Sequence, residues 1–122
     1  MGDFAGGLIK YLRQHPVRRV TIGGGFGKLV KLAQGALDLH SGRSQVDFAW
    51  LSERVPPEIA PRVAGANTAR QVLMLCNEVE FNVGKLIADM ALGTVKHTLR
   101  SSRIEPEIVI VDQQGTIVGR AG

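Results

Sequence analysis

The stretch Val20-Thr21-Ile22-Gly23-Gly24-Gly25-Phe26-Gly27-Lys28-Leu29 constrains the fold more than any other part of the chain. Its β-branched residues predict a short strand over 18–23. Gly23 to Gly27 then read as a turn, and a helix from about Phe26 to Leu37 follows. That helix buries Leu29, Val30, Leu32, Ala33, Ala36 and Leu37, whereas Lys28, Lys31 and Gly35 share a stripe at i, i+3, i+7. Glycines in the turn let the backbone come close to a ligand and take positive φ. The helix start supplies N–H groups and a positive dipole end for an anion. The spacing is not that of a P-loop, which wants a Ser or Thr where Leu29 stands. Nor is it a dinucleotide fingerprint, because Gly23-x-Gly25-x-Gly27 lacks the offset of the third glycine. A shortened loop of this kind suits nucleosides and S-adenosylmethionine as well as phosphates. A tight strand-to-helix turn with nothing bound fits the spacing equally.

Elsewhere the pattern is mainly helical. Asp3 can cap a helix over 3–14 carrying Phe4, Leu8 and Leu12, which His15-Pro16 ends. The segment 38–44 is a polar break, and a helix from about Gln45 to Val55 follows. Pro56, Pro57 and Pro61 predict a surface loop. Asn67 or Thr68 caps a helix to about Asn77, and Val83, Leu86, Ile87, Met90, Ala91, Val95 and Leu99 mark a helix over 82–100. Ile108-Val109-Ile110-Val111 has the composition of a strand buried on both faces. Asp112 to Gly115 is a turn, and Thr116 to Arg120 returns as the second strand of a hairpin. This order predicts a single α/β domain over 1–122: a three-layer, Rossmann-like arrangement with a mostly parallel sheet and a C-terminal antiparallel hairpin. The opening Gly2-Asp3-Phe4-Ala5-Gly6-Gly7 has the composition of a βα turn with no strand before it. The expectation is therefore a piece of a longer protein.

Composition narrows the function classes. With 122 residues the chain can bury a core of its own. A single Cys76 allows no internal disulfide and no cysteine metal site, and its apolar neighbours predict a small buried hydrophobe. No apolar run approaches the ~20 residues of a membrane helix, and the start has neither a basic signal region nor a myristoylation pattern. A cytoplasmic protein without membrane contact is expected. The net charge of +4 favours acidic partners. The basic residues are dispersed and lack interleaved aromatics, so nucleic acid is not an expected partner.

Beyond the glycine turn, two groups can bind or react. Lys28 and Lys31 could hold carboxylates or phosphates, or simply face solvent. Asp38, His40, Ser41, Arg43 and Ser44 cluster after the helix, where His40 could serve as acid, base or ligand or merely meet the last helix carbonyls. No nucleophile elbow accompanies them. His15 and His97 stand alone and suggest no metal site.

Several of these blocks together resemble a known family. Gly2-Asp3-Phe4-Ala5-Gly6, the run from Val20 to Gly35, Asp38-Leu39-His40-Ser41, Ala66-Asn67-Thr68-Ala69 and Val111-Asp112-Gln113-Gln114-Gly115 are similar to the C-terminal part of CbiD. That family comprises the cobalt-precorrin-5B C1-methyltransferases of anaerobic cobalamin biosynthesis. The resemblance implies methyl transfer from S-adenosylmethionine, as co-substrate, to C1 of an acidic, cobalt-bearing tetrapyrrole. It implies that Gly23, Gly24, Gly25, Phe26 and Gly27 line the S-adenosylmethionine site and that Lys28, Lys31, His40, Ser41 and Arg43 face the substrate. It further implies a missing N-terminal domain as partner, an isolated fragment that is inactive, and room for a homo-oligomer. The alternative is a structural or interaction domain of that enzyme, with the ligands bound mainly by the missing part.

Overall fold

A computed structural model describes residues 18–35, 46–99 and 103–122. The expected helix over 3–14 and the polar cluster over 38–44 lie outside the described residues. The elements are β1 (Arg19–Gly25), α1 (Phe26–Ala33), α2 (Phe48–Ser52), α3 (Ala60–Ala64), α4 (Ala69–Glu78), α5 (Val83–Thr98), β2 (Glu105–Val111) and β3 (Ile117–Ala121).

The sheet runs β1-β2-β3. β1 and β2 are parallel in the register Arg19↔Glu105 to Gly25↔Val111, and β2 pairs antiparallel with β3 through Ile108↔Ala121 and Ile110↔Gly119. The C-terminal hairpin is as expected, but with one parallel and one antiparallel pair the sheet is mixed rather than mostly parallel. One face carries Ile22, Ile108, Ile110 and Ala121, all buried. Against it lie α1, with Leu29, Val30 and Leu32, and α5, with Ile87, Ala88, Ala91 and Val95, every one fully buried. The other face shows Thr21, Glu107, Val109, Val111 and Arg120, exposed or half-buried. A second helical layer is therefore not seen among the described residues, and β2 is fully buried on one face only. Its unbroken apolar run hid an alternation in which Pro106, Ile108 and Ile110 point inward.

On the open face Glu107 ties the three strands together. It accepts from Thr21 Oγ1 at 2.9 Å and from Arg120 Nη2 at 2.9 Å. The Arg120 hydrogen bond, then that of Thr21, holds the Glu107 carboxyl below the usual carboxylate range.

Local boundaries differ from expectation for identifiable reasons. Helix α1 stops at Ala33, because Gly35 takes φ +89° and donates its N–H to the Leu32 carbonyl. Gly35 is thus a helix stop and not a member of the lysine stripe. Residues 60–64 form a helix where a loop was expected, since Pro61 lies in the first turn, where a missing N–H costs nothing. Helix α2 is shorter than the predicted 45–55 and begins after Asp47, whose side chain accepts from Trp50 N. Thr68 caps α4 as expected, accepting from Gln71 N, and Asn82 caps α5, accepting from Lys85 N.

The closest packing is between α5 and β3. A Cβ placed on Gly84 would overlap the Val118 carbonyl, and one on Gly119 would overlap the Gly84 carbonyl. A Cβ on Gly93, nine positions along the same helix, would meet no described atom within 4 Å. Gly84→Ala is expected to destabilise the protein by about 2 kcal/mol or more in urea unfolding. Gly93→Ala is expected to stabilise it by up to about 1 kcal/mol, because only helix propensity changes.

Candidate functional site

The parallel pair ends at Gly25 and Val111, which are register partners. Crevices beyond the C-terminal ends of parallel strands are the usual ligand sites of α/β sheets. Here that place is an open cleft of about 510 Å³. Three segments wall it: Gly25–Gly27 from the β1–α1 junction, Thr68–Arg70 with Leu73 from the start of α4, and Val111–Gln114 from the end of β2.

Each wall is shaped by local sequence. β1 continues through Gly25, so what reads as a glycine turn is largely strand, and the chain enters α1 directly at Phe26. None of Gly23, Gly24, Gly25 or Gly27 has positive φ; Gly25 is extended, with φ −72° and ψ 165°. The expected left-handed turn is replaced by a straight strand-to-helix junction. The glycines are there for space. A Cβ on Gly25 would meet no described atom within 4 Å, and one on Gly23 would meet the Val109 carbonyl at an ordinary 3.7 Å. On Gly24 it would touch Lys28 Cδ at 3.0 Å. Gly25 caps α1 without a side-chain hydrogen bond, which leaves the first N–H groups of that helix without a side-chain cap among the described residues.

The hairpin wall is fixed by Asp112. Its Oδ1 accepts from Gln114 N and Thr116 N, both at 2.9 Å, and Gly115 closes the turn at φ +83°. Its Oδ2 takes no hydrogen bond from a described residue. The α4 wall carries Arg70, exposed and without an ion pair or hydrogen bond among the described residues.

A second, smaller cavity of about 270 Å³ adjoins the first. Arg70, Leu73, Asp112 and Gln114 line both. Beyond them it is walled by Met74 and Asn77 of α4, by Phe81 and Asn82, and by Val118 of β3.

Of the residues singled out in the sequence, Gly25, Phe26 and Gly27 line the cleft. Gly23 and Gly24 lie further back in β1. Lys28 and Lys31 line neither cavity; the Lys28 chain runs over Gly24 instead. His40, Ser41 and Arg43 lie outside the described residues. Arg70, Asp112 and Gln114 were not singled out for a role. Two signals pointed to them: Asp112 directly follows the apolar β2 run, and two of the blocks carrying the resemblance, Ala66–Ala69 and Val111–Gly115, reach the cleft. No group of His, Cys, Asp and Glu among the described residues could hold a metal ion. No helix among them is long and apolar enough to cross a membrane.

Cys76 is buried in mid-α4, and burial pushes its thiol up to about 11. It is packing, as its apolar neighbours predicted.

The family model for the C-terminal domain of CbiD matches residues 38–122. Proteins of Brucella ovis, Brucella canis and Brucella melitensis named cobalt-precorrin-5B C(1)-methyltransferase are each 51% identical to the chain across 98% of its length. The chain spans about a third of those proteins, 34% of each. No solved structure matches it.

Alkylation checks the reading of Cys76. Folded protein at pH 8 is expected to resist iodoacetamide and to react promptly once unfolded in urea; rapid labelling of the folded chain would contradict a buried, protonated thiol.

Proposed function

The chain belongs to the CbiD family as its C-terminal domain, and on that premise we propose that it walls the catalytic cleft of an S-adenosylmethionine-dependent methyltransferase acting at C1 of cobalt-precorrin-5B in cobalamin biosynthesis. The names of the relatives support the methyl transfer and its substrate. The observation that carries the placement is the empty space over Gly25, at a cleft where three separate segments meet beyond the parallel strands. The fold does not need glycine there, so the space is kept for a ligand.

S-adenosylmethionine supplies a methyl on a sulfonium, transferred in line to a nucleophilic carbon. Such a displacement asks the protein chiefly for position and orientation. The residues suit that work. The uncovered N–H groups at the start of α1 suit the carboxylate of the amino-acid end. Asp112 lies at the end of the strand next to β1, where an acidic side chain can accept from ribose hydroxyls. Its Oδ1 is held by two backbone N–H groups, and its Oδ2 accepts from no described residue. Leu73 offers the adenosyl group an apolar surface at the cleft wall.

A second reading, a docking domain with ligands held elsewhere, is favoured by the exposure of Met74 at 58% and Ile117 at 56%. Calorimetry with S-adenosylhomocysteine separates the two. The methyltransferase reading expects binding to this chain, alone or mixed with the remaining two-thirds of the protein. It expects Gly25→Val to weaken that binding about tenfold or more while leaving urea stability within about 1 kcal/mol. No binding in either case, or an affinity indifferent to Gly25→Val, favours the docking domain.

A further inference from the structure

Resting on that reading, we propose that the smaller cavity seats one carboxylate-bearing edge of the tetrapyrrole, with Arg70 as its anchor. In a direct methyl transfer the acceptor carbon must come within about 3–3.5 Å of the donor methyl. The acceptor's seat therefore has to open into the donor's. The smaller cavity does so, because Arg70, Leu73, Asp112 and Gln114 form a rim common to both. Lys28 and Lys31, the cations that stood out in the sequence, line neither space.

The chemistry of the smaller cavity matches a flat macrocycle with acidic side chains. Leu73, Met74, Phe81 and Val118 offer an apolar wall to a ring face. Met74 is 58% exposed, and its flexible thioether can settle against an irregular aromatic or corrin edge. Asn77 adds an amide donor at the same wall. Arg70 stands at the rim with its fork unpaired among the described residues, and a guanidinium binds a carboxylate in bidentate geometry. At about 270 Å³ the cavity holds one edge and leaves the rest of the macrocycle outside this domain. Arg70 is then the residue that fixes which ring carbon faces the donor cleft.

The test uses the whole chain and two probes. One is dicyanocobyrinic acid, a cobalt corrinoid with free side-chain carboxylates; the other is its fully methyl-esterified form. Binding is followed by corrinoid absorbance, and S-adenosylhomocysteine binding is measured beside it. The expected result is that the free acid binds more tightly than the ester. Arg70→Gln and, separately, Asn77→Asp should weaken the acid about tenfold, and Arg70→Gln should erase the preference over the ester. Both positions are exposed, so the amide spectrum of each variant is expected to stay folded. Lys28→Gln/Lys31→Gln should bind the acid as the parent does. The inference is overturned if the parent chain does not bind the acid, if Arg70→Gln and Asn77→Asp leave it unchanged, or if the loss appears in Lys28→Gln/Lys31→Gln instead. S-adenosylhomocysteine binding that depends on Gly25 while the corrinoid result is negative sinks the inference and leaves the donor site standing. S-adenosylhomocysteine binding absent both to the chain alone and to its mixture with the remaining two-thirds sinks the donor site itself.

Discussion

The backbone of α5 rests on the backbone of β3 where Gly84 meets Gly119, and the rest of the structure depends on that contact. With no Cβ on either side, the helix comes close enough for Ile87, Ala88 and Ala91 to reach Ile108 and Ile110, and all five are fully buried. A single methyl at either glycine would push α5 away from the sheet. Because α1 packs on α5 and follows directly from β1, such a shift would also move the β1–α1 junction. The position of the cleft is therefore set by two glycines that do not line its larger part.

The glycines of the chain accordingly do three different jobs. Gly84 and Gly119 permit close approach. Gly35 and Gly115 supply the positive φ that ends a helix and closes a hairpin. Gly25 does neither, and keeps space open beside the strand ends. Glu80, at φ +56°, takes the left-handed position after α4 without being a glycine, where Phe81 N donates to the Cys76 carbonyl. That backbone geometry turns the chain toward Asn82 and sets Phe81 at the wall of the smaller cavity.

Much of this was legible in the sequence. The strand and helix at 19–33, the cap at Thr68, the long helix to residue 98 and the terminal hairpin follow from periodicity and capping chemistry. The errors are local. Gly35 lies at a spacing that also fits a helix stripe, and only its φ distinguishes the two roles. Pro61 reads as a breaker unless the helix start just before it is known. The run 108–111 has no polar residue to mark its open face, so its alternation could not be read. The candidate cleft was half legible. Gly25, Phe26 and Gly27 announce themselves as a block, whereas Arg70 and Asp112 are single residues far apart in sequence. They meet because β1 and β2 are parallel and because α4 starts beside their ends, and pairing of this kind is not written in any local pattern. The lysines at 28 and 31 drew attention by proximity in sequence, yet neither lines a cavity.

The central claim is that the cleft at the ends of β1 and β2 receives the methyl donor. Amide chemical-shift mapping of the 122-residue chain during titration with S-adenosylhomocysteine tests it most directly. The account predicts that the saturable shifts gather at Gly25, Gly27, Ala69, Arg70 and the 111–114 segment. Saturable shifts confined to the open face of the sheet around Thr21 and Arg120, or none either alone or with the remaining two-thirds added, would contradict it.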